Sequence, residues 1–407
     1  MKILIVTQYF WPESFRINDL ALGLRERGHE VTIFTGKPNY PGGRFYPGYG
    51  FFGRARDDYE GIPVVRVPLI PRGNGGRLRL ALNYLSFALF ASVLASRCRG
   101  RFDAIFVYEP SPVTVGLPAL VLKKLKRAPV LFWVQDLWPE SLSATGAVRS
   151  SWLLHIVERM VRFIYRHCDR ILVQSRAFTA PIEAYGADPA RISYFPNSAE
   201  ALYRPVEPTS DMPEAADMPN GFRIMFAGNI GAAQDFPTII TAARLLADNK
   251  DIHWLILGDG RMREWVKGEV EAHDLEATVH LLGRHPVDVM PNYFAFADAL
   301  LVTLRREPIF ALTIPGKVQS YLASGKPIIA ALDGEGARVI LEAGAGIAVP
   351  SESPDALATA VLELFHMSQE TRRTMGLRGR DYFERHFERE MLLDKLDRWI
   401  NELKPVI

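Results

Sequence analysis

The sequence predicts an α/β protein made of two doubly wound, Rossmann-like domains that face each other across a cleft. Three observations lead to this prediction: the length of 407 residues, the alternation of short apolar runs with helical patterns, and a polar segment that interrupts this alternation near mid-chain. A chain of this length is long for one hydrophobic core and fits two domains. Its 48% hydrophobic and 23% charged residues are typical of a folded globular protein.

The first domain is predicted over residues 1–200. Its apolar runs are continuous rather than alternating, which is typical of strands buried on both faces of a parallel sheet. Helical patterns lie between several of these runs, and such strand–helix–strand units indicate a doubly wound domain. The predicted strands are Lys2–Val6, Val31–Phe34, Val64–Val67, Ala104–Val107, Val130–Val134 and Arg170–Val173. The predicted helices are Asn18–Arg27, Val113–Leu125, Leu153–His167 and Phe178–Tyr185.

The second domain is predicted over residues 201–388. Pro205–Asn220 is polar and lacks periodicity, so it is interpreted as a linker or long loop. The strand–helix pattern then restarts. Its predicted strands are Phe222–Ala227, His253–Leu257, Val279–Leu282, Ala299–Leu304, Ile328–Ala331 and Gly346–Val349. Its predicted helices are Pro237–Leu246, Val287–Ala295, Lys317–Ala323, Gly336–Ala343, Pro354–Phe365 and Gln369–Phe387, with Met391–Leu403 as a final one.

Charge is distributed unequally between the two halves. Residues 1–200 contain 26 Lys and Arg against 16 Asp and Glu, a difference of +10, whereas residues 201–407 contain 22 against 30, a difference of −8. The basic excess predicts an anionic partner for the first half: nucleic acid, an anionic membrane surface or a phosphorylated lipid. Two cysteines, Cys98 and Cys168, make no disulfide framework, and the first apolar run is too short for a signal peptide. We therefore expect a cytoplasmic protein.

The segment Thr313–Ile328 predicts a phosphate site. Pro315 and Gly316 form a turn that opens a helix at Lys317, and a buried strand follows Gly325. The N-terminus of a helix offers unpaired N–H groups and a partial positive charge, so it attracts anions. Lys317 adds a full charge at the same place, and the unit therefore indicates a phosphate or diphosphate ligand.

Two glycine-rich loops follow predicted strands of the second domain. Gly228 and Gly231 allow the backbone to approach a ligand, and Gly258-Asp259-Gly260 repeats this after the next strand. Neither loop has the full Gly-x-Gly-x-x-Gly spacing of dinucleotide folds, and each could be only a tight turn. Arg284 ends another predicted strand, where it could pair with a phosphate or remain solvated.

Taken in order, Gly228-Asn-Ile-Gly231, Gly258-Asp-Gly260, Leu281-Leu-Gly-Arg284, Ala297–Val302 and Tyr321–Ile329 resemble the donor half of family-four glycosyltransferases. These are retaining enzymes of the GT-B fold. Leu22–Ile33 and Phe195-Pro-Asn197 resemble parts of the acceptor domain, so the resemblance covers nearly the whole chain. The segments Tyr9–Ser14, Lys37–Pro41 and Trp133–Ser141 are similar to a subgroup that builds O-antigen, capsule or exopolysaccharide units on a polyprenyl diphosphate carrier.

The resemblance implies that the second domain binds a nucleotide diphosphate sugar. It also implies that residues 1–200 bind the acceptor and associate with the membrane, and that the C-terminal helix over 389–407 packs back on them. The donor-binding residues carried over from the family pattern are Gly228, Asn229, Gly231, Gln234, Gly258, Asp259, Gly260, Pro315, Gly316, Val318 and Ser320.

The chain departs from the family pattern at several positions. Leu312 and Ser320 stand where many relatives have two glutamates near the donor sugar and ribose, and Glu307 is close but out of register. Asn229 and Gln234 replace an Arg and a Lys that would neutralise the diphosphate. The acceptor domain has Gln135-Asp136 where relatives often have His-Asp, and Pro12–Arg16 replaces a paired-glycine loop.

The expected chemistry is stabilisation of a departing nucleoside diphosphate. Fixed cations and preorganised N–H groups stabilise such charge best when water is excluded, so we predict catalytic roles for Lys317 and Arg284. Asp136 and Glu13 are predicted to position the acceptor or the sugar, although Asp136 could instead cap a helix and Glu13 could pair with Arg16. No carboxylate cluster suggests a metal site, and we expect no cofactor.

Leu78–Ala95 predicts contact with a membrane. This apolar segment contains three polar residues and is slightly short for a spanning helix, so a helix lying in the interface fits better. The predicted membrane-associating residues are Arg77, Arg79, Arg97, Arg99, Lys123 and Lys124. A core helix with solvated ends is the alternative. Nucleic acid is disfavoured because no recognition motif with interleaved aromatic residues is present.

The sequence thus predicts a cytoplasmic glycosyltransferase, peripheral on the inner face of the membrane. It is expected to move a hexose, N-acetylated or deoxy, from a UDP- rather than a GDP-sugar to a polyprenyl-diphosphate-linked saccharide. One alternative is a nucleotide-sugar 2-epimerase of the same architecture, which would need carboxylate acid/base pairs. Another is a non-catalytic subunit that binds sugar nucleotides, as the two missing glutamates suggest.

Overall fold

The computed structural model describes residues 1–73, 76–144, 148 and 150–403. The chain divides into two compact units, one formed by Met1–Pro196 with Leu392–Ile407 and the other by Asn197–Met391. Each unit is built on its own β-sheet, in the order β3-β4-β2-β1-β5-β6-β7-β8 in the first and β11-β10-β9-β12-β13-β14 in the second. The two-domain α/β architecture predicted from the sequence is therefore present.

In the first unit every strand pairing is parallel except that of β3 with β4 at one edge. The strands are β1 (Lys2–Val6), β2 (Glu30–Gly36), β3 (Arg56–Tyr59), β4 (Ile62–Val67), β5 (Ala104–Glu109), β6 (Val130–Val134), β7 (Arg170–Val173) and β8 (Ile192–Tyr194). The helices are α1 (Arg16–Glu26), α2 (Arg77–Val93), α3 (Gly116–Lys126), α4 (Glu140–Ala144), α5 (Ser151–His167) and α6 (Thr179–Ala184). Every residue of β5 and β6 is buried, as the continuous apolar runs predicted.

The second unit has an all-parallel sheet. Its strands are β9 (Phe222–Ala227), β10 (Ile252–Leu257), β11 (Val279–Gly283), β12 (Ala299–Thr303), β13 (Ile328–Ala331) and β14 (Gly346–Val349). Its helices are α7 (Phe236–Leu245), α8 (Arg263–Ala272), α9 (Met290–Phe296), α10 (Pro308–Ala311), α11 (Gly316–Ala323), α12 (Glu335–Ala343), α13 (Pro354–His366) and α14 (Gln369–His386). Phe226 and Trp254 belong to the core on one face of this sheet, and Met225 and Leu255 to the core on the other.

The last helix, α15 (Arg389–Glu402), belongs to the first unit from Leu392 onward. Ion pairs attach it there: Arg27 lies 2.6 Å from Asp394, and Arg170 lies 2.8 Å from Glu402. The Trp399 ring also packs edge-on against Phe195.

Several short elements were not predicted, and their composition explains why. The edge strand β3 has the sequence Arg-Asp-Asp-Tyr, which is polar because one side of the strand lacks a sheet neighbour. A contact with the neighbouring strand β4 stabilises it, since Asp57 pairs with the fully buried guanidinium of Arg66 at 2.5 Å. The helix α8 buries only Val266 and Val270, so its apolar periodicity is weak.

Candidate active site

Three loops of the second unit meet at the carboxyl ends of β9, β10 and β11. Backbone hydrogen bonds link them, because the N–H of Gly228 donates to Leu257 and the N–H of Gly258 donates to Gly283, at 2.9 and 2.7 Å. Gly228 and Gly258 both have φ near +140°, and a β-carbon on Gly258 would lie 1.8 Å from the Gly228 carbonyl oxygen. Only glycine fits such a close approach. The two glycine loops therefore form one surface at the edge where open parallel sheets bind ligands.

The side chain of Lys317 reaches this surface from the first turn of α11. A β-carbon built on Gly228 would lie 2.8 Å from the Lys317 Cε and 3.2 Å from its Nζ. The Nζ atom also lies 3.5 Å from the centre of the Phe226 ring. The structure thus brings together the glycine loop and the lysine that the sequence analysis assigned to the diphosphate.

The ammonium group of Lys317 is buried, with no counter-ion in the described ranges. Among the described residues its Nζ has no hydrogen-bond partner, and burial lowers the pKa of the amine to about 7. An unpaired charge in the interior is costly, and here the ring of Phe226 faces it. An anionic ligand in the glycine loops would supply the missing partner and raise the pKa again.

The N-terminus of α11 adds N–H donors beside Lys317. Pro315 precedes the helix, Gly316 is exposed, and no side chain caps this end. By contrast, Val318 has no exposed surface and packs in the core, and the buried Ser320 donates its hydroxyl to the Gly316 carbonyl at 3.2 Å. The structure therefore places Pro315 and Gly316 at the surface of the predicted site and the side chains of Val318 and Ser320 behind it.

The remaining predicted donor-binding residues lie in or next to the glycine loops. The Gln234 side-chain amide donates hydrogen bonds to the backbone carbonyls of Gly231 and Asn229, both at 3.2 Å, so it bridges the ends of their loop. Asp259 accepts a hydrogen bond from the Gly260 N–H at 2.8 Å. Arg284 is exposed one residue beyond Gly283, the residue that binds Gly258. Glu307 is also exposed, where α10 begins.

In the first unit, Asp136 follows β6 at the carboxyl edge of the sheet. It accepts hydrogen bonds from the Trp138 indole N–H, at 3.2 Å, and from the Ser141 hydroxyl. Burial raises the pKa of this carboxyl, and the hydrogen bonds oppose that shift. Asp136 is thus held by side chains of the segment that leads into and begins α4, and it remains partly exposed.

The position of Glu13 differs from that expected of a residue that contacts a ligand. Its carboxylate is 1% exposed and accepts hydrogen bonds from the backbone N–H groups of Phe10, Asn39 and Tyr40, at 3.2, 2.7 and 2.8 Å. Burial raises the pKa of Glu13 to about 7, although these N–H groups act in the opposite direction. The observed contacts make Glu13 a clamp between the loops that follow β1 and β2.

The helix α2 presents an apolar face to solvent. Leu78, Leu82, Leu85, Leu89 and Val93 recur at helical spacing and are 39–74% exposed. The embedded polar residues turn inward instead: Asn83 bonds to Gln8 and to the Ile70 carbonyl, both at 2.7 Å, and Ser86 accepts the Ile70 N–H. One side of α2 is therefore a polar core contact, and the other is an uncovered leucine surface flanked by the exposed Arg77, Arg79, Arg97 and Arg99. None of the helices in the described ranges combines the length and apolarity needed to cross a membrane.

A second apolar surface, on α5, was missed by the sequence analysis. Trp152, Leu153, Ile156 and Phe163 are exposed, and Trp152 is 68% exposed. The sequence contains a signal for this surface, because apolar residues lie on more faces of the helix than one contact with the core requires. The helix α3 packs against both α2 and α5. On α3, Lys124 is exposed whereas Lys123 pairs with Asp169 at 2.7 Å, which leaves Lys124 the freer cation.

In the described part of the chain, no three His, Cys, Asp or Glu side chains are grouped closely enough to hold a metal ion. The sequence analysis also gave no role to Glu109, which ends β5 and is fully buried. Burial raises the pKa of its carboxyl, and the nearby charge of Asp136 raises it further. Its position at the end of an apolar strand, just before Pro110, was the available signal.

Comparisons with known proteins agree with this arrangement. Residues 14–198 match a glycosyl transferase 4-like domain, and residues 221–367 match the glycosyl transferases group 1 family. The chain is 32% identical over 310 residues to the probable glycosyltransferase WbjE of Pseudomonas aeruginosa, covering 72% of this chain and 74% of that protein. It is 25% identical to the putative colanic acid biosynthesis glycosyl transferase WcaI of Escherichia coli strain K12, over 99% of this chain and 100% of that one.

Among solved structures, HepE of Anabaena in complex with UDP superposes with a TM-score of 0.69 at 15% identity, covering 99% of this chain and 100% of that one. This similarity concerns the fold, which is GT-B. Two matched domains and a relative above 30% identity also establish the family. The chain is therefore a GT-B glycosyltransferase that belongs to the glycosyl transferase 4-like and group 1 families.

Proposed function

We propose that this glycosyltransferase moves a hexose, N-acetylated or deoxy, from a UDP-sugar to a polyprenyl-diphosphate-linked saccharide in the synthesis of a surface polysaccharide. One observation carries the proposal: the buried, unpartnered ammonium of Lys317 lies against Gly228, beside the N-terminus of α11. A diphosphate fits this combination of charge and N–H donors. The named relatives support the pathway, since one is assigned to colanic acid biosynthesis, and HepE, with the same fold, was solved with UDP.

The proposed reaction breaks the bond between the anomeric carbon of the sugar and the diphosphate oxygen. The new bond forms from an acceptor hydroxyl oxygen to the same carbon, on the same face, so the configuration is retained. The acceptor proton goes to the leaving diphosphate oxygen. Lys317, Arg284 and the N–H groups at Gly316 balance the negative charge that develops there, and their stabilisation is strongest where water is excluded. We propose that this charge balance needs no metal ion.

The donor is tested by incubating the enzyme with a panel of UDP- and GDP-sugars, with and without a polyprenyl-diphosphate saccharide. We expect release of UDP only when the acceptor is present, and no loss of activity on adding a chelator. Conversion of the donor without acceptor would favour a 2-epimerase. Binding of donors without turnover across the panel would favour a non-catalytic subunit.

We further propose that the enzyme binds the anionic inner surface of the membrane through α2. The exposed leucine face of α2 supports this proposal, because a helix with apolar residues on one side and arginines at both ends suits the interface between headgroups and acyl chains. The exposed residues of α5 extend the same kind of surface.

Binding to liposomes with and without anionic lipid tests this surface. Replacing Leu85 and Leu89 by Gln should remove most sedimentation with either kind of liposome, since each buried leucine contributes ~2 kcal/mol. Replacing Arg77, Arg79, Arg97 and Arg99 by Ser should remove only the anionic preference. Leu341→Gln is a matched control, because Leu341 is 59% exposed in the second unit. Undiminished binding of both α2 variants would reject the proposed surface.

A further inference from the structure

We propose that Arg72, together with Tyr9 and Tyr40, binds the diphosphate of the lipid carrier to which the acceptor saccharide is attached. This inference rests on the glycosyl transfer proposed above and assigns residues to its second substrate. The three residues are called the Arg72 clamp below.

The sheet topology brings the Arg72 clamp together. Tyr9 follows β1, Tyr40 follows β2 and Arg72 follows β4, and these strands are neighbours in the order β4-β2-β1. All three pair in parallel, so their carboxyl ends lie at one edge of the sheet. Asp136, which follows β6, lies at the same edge. The clamp is therefore on the side of the sheet where ligands of this fold class bind.

The tyrosine rings hold the guanidinium of Arg72 in place. Its central carbon lies 5.0 Å from the centre of the Tyr40 ring and 5.8 Å from that of Tyr9. One guanidinium nitrogen donates to the Tyr9 hydroxyl at 3.0 Å, and the backbone N–H donates to the Asn39 side-chain oxygen at 3.1 Å. Tyr9 is itself fixed by stacking on Phe15, with ring centres 5.1 Å apart. An arginine held by two rings is preorganised for a planar or bidentate anion.

No carboxylate within the described ranges lies at ion-pair distance from Arg72. Other arginines of the same unit do have carboxylate partners, such as Arg66 with Asp57 and Arg27 with Asp394. Within the part of the chain that the structure describes, one of the five guanidinium N–H donors of Arg72 is used in a side-chain hydrogen bond. The others remain for an external anion, and phosphate is an anion that arginine binds in bidentate fashion.

The surroundings of the clamp favour a phosphate at the end of a lipid. Arg72 precedes α2 by five residues, and the exposed leucine face of that helix begins at Leu78. The side chain of Arg79 lies 3.6 Å from a β-carbon built on Gly73, so a second cation is near the clamp. With the leucine face of α2 in the membrane, Arg72 would lie close to headgroup depth, where the diphosphate of a polyprenyl carrier is found.

Aromatic residues connect the clamp to Asp136: Tyr9 and Trp138 are buried, and Tyr84 is half-buried. Tyr84 of α2 interacts with the hydroxyl groups of Tyr9 and Ser111. Its ring lies 6.0 Å from that of Trp138, which bonds to Asp136. A saccharide attached to a diphosphate at Arg72 could pack on the half-buried ring of Tyr84, because aromatic faces suit the apolar faces of sugars. This places the sugar hydroxyls near Asp136, the residue predicted to position the acceptor.

Binding of geranylgeranyl diphosphate tests the clamp, with saturating UDP present to occupy the donor site. Arg72→Gln should raise the Kd of this probe at least about tenfold, because a charged bidentate contact is lost. Arg72→Lys keeps the charge without the planar fork, so we expect an intermediate Kd. Geranylgeraniol, which lacks the diphosphate, should bind both variants as it binds the parent protein.

Two further binding measurements serve as controls for this experiment. Arg56→Gln, an exposed arginine on the edge strand β3, is the matched control and should leave the Kd of the probe unchanged. Methyl glucuronide tests whether the anion is instead on the saccharide, and dependence of its binding alone on Arg72 would overturn the assignment. An unchanged Kd for geranylgeranyl diphosphate in Arg72→Gln would also overturn it.

This experiment separates the clamp from the proposed function. If the Arg72 variants bind the probe normally and still release UDP in the presence of acceptor, the clamp is wrong and glycosyl transfer stands. If the parent protein releases no UDP with any donor, the proposed function fails, whereas weaker binding of the probe by Arg72→Gln would still show that Arg72 binds a lipid diphosphate. The Tm of each variant, measured beside its UDP affinity, identifies any variant that fails to fold.

Discussion

Lys317, in the first turn of α11 of the second unit, and Glu13, in a loop of the first unit, both have a buried ionisable group. Burial shifts both pKa values to about 7, downward for the lysine and upward for the glutamate. The two groups differ in their hydrogen-bond partners. Glu13 accepts three backbone hydrogen bonds, whereas the Lys317 ammonium has none among the described residues.

This difference separates a structural charge from one that awaits a ligand. The interactions of Glu13 are complete within the protein, so its burial stabilises two loops. The interactions of Lys317 are incomplete, and the protein bears an uncompensated cost that only an anion can relieve. We therefore expect Lys317 to act in catalysis and Glu13 to maintain loop geometry.

The largest expected effect is that of Lys317→Met. Removing the ammonium should lower kcat by about 10³-fold, the upper range for losing one group that stabilises transition-state charge. The Tm should not fall, because the substitution removes an unpaired buried charge. The measurement is UDP release with acceptor, beside thermal unfolding of the same samples.

Ser320→Ala on the same helix is the control for Lys317→Met. It removes only the hydroxyl bond to the Gly316 carbonyl, so activity should remain within about threefold of the parent enzyme. Near-normal activity of Lys317→Met, or an equal loss in both variants, would reject the role given to Lys317.

Glu13→Gln should act mainly on stability. The amide keeps one acceptor oxygen but presents an NH2 group toward backbone N–H donors, so we expect a loss of about 3 kcal/mol in the free energy of unfolding. Urea unfolding measures this loss, with the exposed Glu183→Gln as control. At a temperature where the variant is folded, kcat should change by less than about twofold. A large fall in kcat with unchanged stability would instead indicate that Glu13 acts in the active site.

The smallest expected effect is the pH dependence of UDP binding. Diphosphate binding favours the protonated Lys317, whose pKa is about 7 in the free protein. The Kd of UDP should therefore rise above pH 7, by up to about tenfold per pH unit until the pKa of the complex is reached. Calorimetry in buffers of different ionisation enthalpy should show proton uptake on binding.

Lys317→Met should abolish both the proton uptake and the rise in Kd. The same group has a consequence for the free protein. Between pH 7 and 10.5 the Lys317 amine holds a proton in the unfolded chain and has released it in the folded chain. The contribution of this amine to the free energy of unfolding therefore increases with pH in that window. A pH-independent Kd in the parent protein would contradict the buried amine.

The strands and helices were predictable wherever the signal was local. β1, β6, β7, β9, β13 and β14 have the bounds that the apolar runs predicted, and the other major elements differ by a few residues. The sequence failed where a contact between elements decides the outcome. β3 has no apolar run and is stabilised by the Asp57–Arg66 pair with the neighbouring strand β4, and α2 turns its polar residues inward because Asn83 and Ser86 bond to loop backbones.

Of the candidate site, the sequence identified the glycine loops, the N-terminus of α11 and Lys317. It could not separate residues that face a ligand from those behind them, because Val318 and Ser320 share a short helix with Lys317 and differ only in direction. It also missed Arg72, since a single arginine in a loop has no local signal. The two rings that hold Arg72 belong to Tyr40 and Tyr9, which precede it in the sequence by 32 and 63 positions.

By itself, the sequence determined the two α/β domains, the glycine loops and the position of Lys317 at the start of a helix. These follow from periodicity, glycine spacing and helix termini, which are local properties of the chain. Only the tertiary structure decided which buried charges are paired, which face of α2 is open, and that Arg72 lies between two tyrosines. Those outcomes depend on contacts between residues distant in sequence, and the stability of a buried or exposed group is set by what surrounds it.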